Sequence, residues 1–427
     1  MARQLTDDHL PVATRLRRNL ERLTADFTGH FLREGAEELV PEPTVPRDDP
    51  TVLFTNSAVV AFKPYLRGEL ALGGRTLVVT QPCVRAHNLK TMFAEAFAPE
   101  FVLQFTMLAA LAPDGAALTR AIARFFGGTL NLDGSQVLMK AASDDHDLHT
   151  GWPAGWSPPV ARDTERRRYY RWKFGEPRMT GRGATFAIAQ GPGRWRDLGN
   201  LIAFEWDGRT VGYGFGIGLE TLAACLGRSR WVIDAMPIGA LPPAESEQEA
   251  KLADLLGLLA RLYHNGIAVS GRAQGYIMRK ALIALDHLAA GLGVPERELL
   301  ARMRAIAVVQ GRGEDLAGAL RGDLERLRSR PEAVRSLDLS LRCRREVTPE
   351  TLCAAIDRIA VPDVLSIESS ISDVWRGPSL GEDEHSVTIS LALSTRHPMR
   401  PPQVRAALRT VTRELAEKYG VVLRGQV

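Results

Sequence analysis

Residues 46–68 read PRDDPTVLFTNSAVVAFKPYLRG and residues 73–88 read GGRTLVVTQPCVRAHN, and the rest of the chain is best understood from these two segments. The first begins with turn-forming residues, continues through an apolar run and ends in a short helical piece. The second predicts a β-branched strand over residues 76–80, a turn at Gln81-Pro82 and then Arg85. An arginine at the end of a strand can hold a phosphate or carboxylate with two parallel hydrogen bonds. The alternative is that Arg85 is an ordinary surface arginine, one among 54 Lys and Arg residues.

Both segments resemble the start of the class II catalytic domain of alanyl-tRNA synthetases, where DPTLLFTNAGM..FK precedes a Cys-[VI]-Arg-Ala strand and a His-Asn. The matching residues follow in the same order with nearly the same gaps: Asp49-Pro50-Thr51, Leu53–Asn56, Phe62-Lys63, Cys83–Ala86 and His87-Asn88. In that family the arginine holds the α-phosphate of ATP, and a phenylalanine on the next strand stacks on adenine. The resemblance therefore implies that Arg85 is catalytic, that Arg85, His87 and Phe105 bind ATP, and that Mg²⁺ assists.

The composition is that of an ordinary globular protein, with 427 residues, 45% hydrophobic residues and a net charge of +4. This length accommodates two to four domains. No apolar run of about 18 residues and no charged leader before an apolar run occurs, so neither a membrane span nor a signal peptide is predicted. The cysteines lie far apart and predict neither a disulfide framework nor a zinc site: Cys83, Cys225, Cys343 and Cys353. The expected location is the reducing cytoplasm.

Two segments outside the opening stretch carry weaker signals. Residues 4–40 repeat apolar side chains at helical spacing and predict a helix. Residues 143–159 read as a loop in which His146 and His149 stand beside aspartates. These residue types can bind metal ions, but no partner ligands stand out elsewhere in the chain. The sequence therefore predicts a solvated loop and assigns no metal site.

Residues 162–182 are strongly basic, with aromatic residues interleaved. Cations beside flat rings suit phosphate contacts and stacking on unpaired bases, which makes Arg167, Arg168 and Arg171 candidate RNA-binding residues. A solvated basic loop is the alternative, and the sequence leaves both open. Trp172 begins a segment that resembles the synthetase motif NFWxMGD, whose tryptophan forms a wall of the amino-acid pocket. The resemblance implies that Trp172 binds the amino acid.

The resemblance continues through two later segments. Residues 197–206 are similar to the family's E-[IL]-W-N-[IL]-V-F-M-Q-F strand, whose asparagine lies beside the bound amino acid, and this implies the same for Asn200. Residues 212–221 read as a glycine-rich turn where class II motif 3, Gly-[ML]-Gly-[LI]-Glu-Arg, leads into a helix. Glycines at this density let a backbone approach a ligand closely. By resemblance, Gly216 adjoins the amino acid and Gly218 adjoins ATP.

The chain departs from the family at two positions with charged roles. The motif 3 arginine that contacts the triphosphate is Thr221 here, and the aspartate that holds the substrate ammonium is Gly214. Losing a charge-assisted contact of this kind typically costs about 2–5 kcal/mol. The binding pocket is therefore expected to differ from that of an alanyl enzyme.

The second half of the chain predicts two further domains. Residues 246–330 are helical, and the segment GYIMRK resembles the tRNA-binding middle domain of alanyl enzymes, which implies RNA contacts by Arg279 and Lys280. Residues 335–427 predict strands and helices in the order βαββαβ, the ferredoxin-like arrangement. They resemble the anticodon-binding domain at the C-terminus of phenylalanyl-tRNA synthetases, which implies an RNA contact by Arg376.

Together these features predict an α+β protein with an antiparallel-sheet class II catalytic domain over residues 1–240, a helical domain over 246–330 and a ferredoxin-like domain over 335–427. The resemblances imply an AMP-forming ligase that makes an aminoacyl adenylate from ATP and an amino acid, with tRNA as the acceptor, in a specialised pathway. They also imply a homodimer paired near Pro46. Two alternatives stay open: an inactive paralogue that binds tRNA or a partner, and a ligase that passes the amino acid to a small molecule or carrier protein.

Overall fold

The structure of the chain is a computed structural model that forms two compact units, Met1–Asp323 and Leu324–Val427. It describes residues 5–6, 8–46, 52–93, 102–311, 313–329, 333–362, 364–377, 380–381, 383–395 and 399–424. The matching segment Asp49-Pro50-Thr51 therefore lies outside the described residues.

Helices and strands are mixed in the first half of the described chain, which includes five successive strands over residues 160–218, and helices dominate its middle. Helices α1 to α11 are His9–Arg33, Val59–Leu66, Gly115–Arg124, His146–His149, Leu219–Leu226, Glu247–His264, Ala273–Leu292, Glu296–Val309, Leu316–Arg328, Pro349–Ile356 and Pro401–Tyr419. Strands β1 to β13 are Glu37–Glu38, Leu77–Val84, Gln104–Ala112, Val137–Ala142, Val160–Asp163, Arg171–Lys173, Met179–Gly191, Arg194–Trp206, Arg209–Gly218, Ala333–Arg344, Ser366–Trp375, Glu384–Thr395 and Val422–Leu423. Across the described ranges, no helix has both the length and the apolarity that crossing a bilayer requires.

The first unit is built on a nine-stranded, largely antiparallel sheet in the order β1-β2-β3-β9-β8-β7-β4-β5, with β6 paired to β7. Only the outer pairs β1–β2 and β4–β5 are parallel among the described strands. A two-residue turn, Asp207-Gly208, joins β8 to β9, and both of its residues have positive φ. That backbone twist suits a tight hairpin, which is why an Asp-Gly pair stands there. The mixed α+β fold expected from the sequence is confirmed.

Strand β2 runs further than the sequence indicated. The predicted turn at Gln81-Pro82 is wrong, because the strand continues through both residues and pairs with β3 as far as Val84. Here β2 is an edge, since β1 pairs only with residues 77 and 78. An edge strand tolerates a proline that donates no hydrogen bond. The buried Gln81 amide instead bonds the backbone of Glu42 in both directions, at 2.8 and 2.9 Å.

The two faces of this sheet are covered by different helices. On one face, Phe27 of α1 packs with Phe125 and Phe215, with ring centroids 5.2 and 6.2 Å away. On the other face, Phe62 of α2 belongs to an apolar cluster that includes Phe204 of β8. The predicted N-terminal helix is confirmed as α1, and the face under α2 carries the cavities described below.

Helices α6, α7 and α8 belong to the first unit and not to a separate body, and the division between the two units, at residues 323 and 324, falls within α9. Asp254 of α6 is buried, and its carboxylate accepts two contacts from the backbone N–H of Leu103, at 2.9 and 3.1 Å. This contact attaches α6 to the residue that precedes β3. The boundaries 1–240 and 246–330 within the first unit stay a prediction.

The second unit has the predicted βαββαβ order in its described residues. Its four strands form an antiparallel sheet in the order β11-β12-β10-β13, with α10 and α11 as the connecting helices. Apolar residues of the strands and helices fill a core of its own, including Leu341, Leu352, Ile389 and Val411. The ferredoxin-like topology is therefore present.

Candidate active site

A cavity of about 420 Å³ lies on the α2 side of the first sheet. Alternate residues of a strand point to one face. Asn200, Ile202 and Phe204 of β8 therefore all line the cavity, together with Met107 and Ala109 of β3. The sheet residues named here thus give the cavity one polar side chain, Asn200, among four apolar ones.

A smaller cavity of about 150 Å³ adjoins the first. It is lined by Phe105, Thr221 and Gly218, and it shares several residues with the larger cavity: Arg85, Met107, Asn200 and Gly216. The predicted ATP-binding residues Phe105 and Gly218 lie at the smaller cavity. The predicted amino-acid residue Trp172 lines the larger one. The structure thus brings together six of the residues that sequence reasoning selected, around two connected spaces.

Arg85 stands where the two cavities meet. Its backbone N–H donates to the carbonyl of Leu103 at 2.8 Å, which extends the β2–β3 pairing by one residue. Its guanidinium lies over the Phe105 ring, 4.5 Å from the centroid. No carboxylate in the described part of the chain forms an ion pair with it. Burial lowers the pKa of Arg85 from its ordinary value, but an arginine keeps its proton in proteins. A fixed positive charge therefore faces both spaces.

Two aromatic side chains of the β6 segment form a wall of the larger cavity. Trp172 and Phe174 pack on β7 at Gly183 and Gly181, where a Cβ atom would lie 2.9 Å from the Trp172 ring and 3.0 Å from the Phe174 ring. Any larger residue would push these rings away. Sequence reasoning did not identify these glycines as structural, although their alternation in the segment TGRGA is a recognisable signal of close packing.

Asn200 is held in place by a neighbouring strand. The hydroxyl of Thr185 on β7 donates to Asn200 Oδ1 at 2.9 Å. Because this bond fixes the amide oxygen and uses one of its lone pairs, the two amide N–H donors of Asn200 are both available to a ligand. Asn200 therefore presents donors to the cavities.

The space that an aspartate would use at position 214 is occupied by an aromatic ring. A Cβ atom on Gly214 would lie only 2.5 Å from Cε2 of Phe204, whose side chain is 2% exposed. The described residues that line the larger cavity include no carboxylate. They do include Lys63, whose Nζ lies 3.6 Å from Oε1 of Glu176. Glu176 itself lies outside the lining and is held by Arg67, which lowers its pKa.

The smaller cavity offers no Mg²⁺ site of its own in its described lining. Asp197 is the carboxylate there, and its two oxygens are engaged by Lys140 and by the hydroxyl of Tyr169. Burial raises the pKa of Tyr169 to about 12, so the phenol stays a donor. The nearby Glu220 carboxylate accepts from the backbone N–H of Thr106 at 2.8 Å instead of facing the cavity. These residues do not fit a protein-bound Mg²⁺, and none is assigned to the ion.

The basic stretch and the acidic loop, which the sequence suggested separately, pair with each other. Arg167 forms an ion pair with Asp144. Arg171 holds both oxygens of Asp145, at 2.6 and 3.1 Å. Arg168 is exposed, and no ion pair to it occurs within the described ranges. Much of the positive charge expected to meet RNA is therefore already compensated within the protein.

The solvated loop predicted around His146 and His149 is wrong, because both residues lie in the short helix α4 and His149 is buried. The rings of His146 and His149 are 5.3 Å apart, and burial lowers the pKa of His149. The adjacent Asp147 is bound by both terminal nitrogens of Arg182, at 2.7 Å each. No group of three potential metal ligands is found among the residues that the structure describes.

The remaining predicted residues lie away from the cavities or outside the described atoms. Arg279 and Lys280 stack on the ring of Tyr276, at 5.5 and 4.2 Å from its centroid. Arg376 is an exposed residue of the second unit. The side chain of His87 lies outside the described residues, so its ATP-binding role stays a prediction.

Comparison with known proteins finds similarity to aminoacyl-tRNA synthetases. The family described as tRNA synthetases class II (A) matches residues 22–90, which include α2, β2 and Arg85. The alanine–tRNA ligase of Granulibacter bethesdensis is 25% identical over 308 residues, which cover 61% of this chain and 34% of that relative. The alanine–tRNA ligase of Frankia alni is 26% identical over 332 residues, covering 67% of this chain and 37% of the relative. The chain thus spans about a third of the length of the curated relatives it matches.

Among solved structures, the fold is similar to asparaginyl-tRNA synthetase from Pyrococcus horikoshii complexed with asparaginyl-adenylate. The TM-score is 0.34 and the identity 14%, over 53% of this chain and 68% of that chain.

Proposed function

Because the chain is a class II aminoacyl-tRNA synthetase-like protein, we propose that it uses ATP to activate an amino acid as an aminoacyl adenylate, with tRNA as the acceptor. The relatives named above are alanine–tRNA ligases. This chain differs from the alanine enzymes at Gly214, on the amino-acid side, and at Thr221, on the ATP side. The experiment below therefore also has to identify the amino acid.

The position of Arg85 carries this proposal. A half-buried guanidinium without a carboxylate partner in the described chain is partly desolvated and is a natural site for an anion. It lines the larger cavity with Asn200 and Trp172 and the smaller one with Phe105 and Gly218. A phosphate in the smaller space and a carboxylate in the larger space would both lie within its reach. That is the arrangement that joining an acid to a nucleotide requires.

The proposed chemistry needs positioning and charge neutralisation more than proton transfer. A carboxylate oxygen of the acid attacks the α-phosphorus of ATP, an acyl–phosphate bond forms, and pyrophosphate leaves. Arg85 neutralises the negative charge that accumulates on the α-phosphoryl oxygens. Phe105 offers a ring for adenine, and Asn200 donates hydrogen bonds to the bound acid. Mg²⁺ would enter with the ATP phosphates, since the described lining of the smaller cavity offers it no site.

The proposed acceptor is supported by cations on both units. On the first unit, exposed Arg168 has no ion-pair partner in the described chain. On the second unit, Arg376 and three arginines of α11 are exposed, namely Arg405, Arg409 and Arg413. Cations of this kind suit phosphate contacts. The homodimer near Pro46 and the cytoplasmic location stay predictions of the resemblance.

The test is ATP–pyrophosphate exchange with each proteinogenic amino acid, with and without tRNA. We expect one amino acid, or a small group of them, to support exchange well above the background without amino acid. Transfer is then measured with a labelled amino acid, and acid-precipitable label on tRNA identifies tRNA as the acceptor. Exchange without tRNA acylation would favour a small molecule or carrier protein as the acceptor instead.

A second candidate function is an inactive paralogue that binds tRNA or a partner. It is favoured by Thr221, because the cation that would contact the triphosphate from motif 3 is absent at that position. Measurable tRNA binding beside no exchange under any condition would select this function and reject the enzyme.

A further inference from the structure

Within the proposed adenylate-forming function, we infer that the larger cavity recognises its acid by a large apolar side chain and not by an α-ammonium group. The substrate class would be carboxylic acids with a branched or aromatic side chain, for which the amino group contributes little to recognition. This inference rests on the proposed function for its chemistry, but the binding preference can be measured without turnover.

The larger cavity is much bigger than an alanine substrate needs. Its volume is about 420 Å³, and the smaller cavity proposed for the nucleotide adjoins it and adds about 150 Å³. Ligand pockets of about 300–1,000 Å³ hold molecules much larger than alanine. The single methyl group of alanine would leave most of this space unfilled. An apolar group that fills the space gains contacts and removes apolar surface from water.

Apolar side chains form much of the wall of the larger cavity. Aromatic and aliphatic side chains from four separate elements surround the space: Val60, Phe62, Met107, Phe174, Ile202 and Phe204. Trp172 closes one side. This apolar part of the lining favours an apolar ligand group. Asn56 and Ser57 add polar groups elsewhere in the lining.

The ring of Phe204 occupies the space that a side chain at position 214 would need. It lies 2.5 Å from the position that a Cβ atom on Gly214 would take, so it fills the place from which a carboxylate could reach the substrate. Ile202, opposite Gly214 on the neighbouring strand, is also apolar. Glycine in place of the family's aspartate at position 214 therefore removes an acidic group, and the Phe204 ring extends the apolar wall at the same point.

The charged side chains in the described lining of the larger cavity are all cationic. Its described lining contains three cationic side chains, Lys63, Arg85 and Lys173, and no carboxylate, although Lys63 is already paired with Glu176 outside the lining. Asn200 presents amide donors, because its oxygen accepts from Thr185. Cations and donors attract the carboxylate of the acid, whereas the side chains of the described lining offer an ammonium group only neutral acceptors, such as those of Asn56 and Ser57. Discrimination by the α-amino group should therefore be weak.

The reaction is the same for an amino acid and for its deamino analogue. In each case the carboxylate oxygen forms a bond to the α-phosphorus of ATP, the bond to the β-phosphate oxygen breaks, and pyrophosphate leaves. No other reactant is needed. The comparison can therefore use matched pairs of acids that differ only at the α-carbon.

The experiment compares alanine, phenylalanine and 3-phenylpropanoate with the full-length protein. In pyrophosphate exchange we expect kcat/KM for phenylalanine to exceed that for alanine by at least about tenfold, since buried apolar groups discriminate on this scale. We expect phenylalanine and 3-phenylpropanoate to agree within about tenfold. Alanine matching or exceeding phenylalanine overturns the inference. So does a preference of more than about tenfold for phenylalanine over 3-phenylpropanoate.

Binding of the same three acids is measured by ligand-observed NMR with ATP omitted. If no acid supports exchange, adenylate formation fails as the function, while the order of binding still decides the inference. Tighter binding of the two phenyl compounds than of alanine supports it. Failure of both phenyl compounds to bind overturns it.

A pair of variants tests the role of Phe204 and Gly214 directly. The double variant Phe204→Leu, Gly214→Asp makes room for a carboxylate and adds it to the cavity. It should raise the ratio of kcat/KM for phenylalanine over 3-phenylpropanoate by about tenfold or more. Phe204→Leu alone is the matched control and should leave that ratio unchanged. An unchanged ratio in a folded double variant overturns the inference, and if that variant does not fold, the wild-type ranking decides.

Discussion

The guanidinium of Arg85 lies over one face of the Phe105 ring, with 4.5 Å between the central carbon and the ring centroid. Arg85 follows the last residue of β2, and Phe105 pairs with Cys83 of that strand. The sheet thus fixes the cation and the ring against each other before any ligand is bound. An adenine that stacks on the covered face must displace the guanidinium towards the phosphates. The two roles expected of these residues are therefore coupled.

Replacement of Arg85 tests the proposed site most directly. Arg85→Ala should lower the exchange rate by about a hundredfold or more, because a charge-assisted contact to the α-phosphate is lost. Arg85→Lys should retain an intermediate rate, since lysine keeps the charge but not the planar two-pronged geometry. The matched control is Arg178→Ala, which removes an exposed arginine paired with Asp207 and should not change the rate. An unchanged rate in Arg85→Ala would show that the site is assigned wrongly.

Thr221 lines the smaller cavity beside Gly218, with its hydroxyl 2.9 Å from where a Gly218 Cβ would lie. Thr221→Arg should lower the KM for ATP in the exchange assay by about tenfold, because it adds a cation for the triphosphate. Thr221→Gln, which adds length without charge, is the control and should have little effect. If both variants lower the KM equally, size and not charge is responsible.

Asp254 makes stability depend on pH. Burial raises the pKa of its carboxyl from 3.8 to about 8, so the folded state keeps a proton that the unfolded chain has already lost. The free energy of unfolding is therefore expected to fall as pH rises from about 4 to about 8, by at most ~1.4 kcal/mol per pH unit. Asp254→Asn cannot titrate, and its amide oxygen can still accept from Leu103 N–H.

Urea unfolding of the wild type and Asp254→Asn at pH 5 and pH 8 measures this effect. The wild type should lose stability relative to the variant between the two pH values. The comparison also cancels the contribution of Glu220, whose pKa burial raises to about 7, because both proteins contain it. Parallel changes in the two proteins would contradict the assignment to Asp254.

Arg168 and Arg167 are adjacent cations in different electrostatic states. Arg168→Ala should weaken tRNA binding several-fold and reduce the salt dependence of the binding constant by about one counter-ion. Arg167→Ala should have a smaller effect, because Asp144 already neutralises that charge. Asp144→Asn frees Arg167 and should strengthen binding. Fluorescence anisotropy with labelled tRNA over a range of salt concentrations measures all three, and equal losses from both arginine variants would show that the ion pair is not maintained.

Several features could be predicted from the sequence because they depend on residues close together in the chain. Helical spacing of apolar residues predicted α1, and the alternation in residues 335–427 predicted the βαββαβ unit. The sequence predicts too short a β2, because a proline usually indicates the end of a strand. Local sequence could not show that Gln81 bonds the backbone of Glu42 and that the strand there is an edge.

Within the candidate site, the resemblance identified Arg85, Phe105 and Asn200, and the fold brought them around two connected cavities. The sequence also showed that Gly214 and Thr221 depart from the family. It could not show that the Phe204 ring takes the space beside Gly214, because that contact depends on which residues of β8 and β9 face each other.

The sequence by itself thus predicted the types and order of most elements, and the family resemblance singled out Arg85. Only the tertiary structure decided which charges meet: Asp144 and Asp145 neutralise Arg167 and Arg171, more than 20 positions along the chain, while Arg85 meets no carboxylate in the described residues. The reason is physical. Periodicity and turn chemistry act over a few neighbouring residues, whereas the pairing of charges and the shape of a cavity depend on residues that the sheet brings together from distant positions.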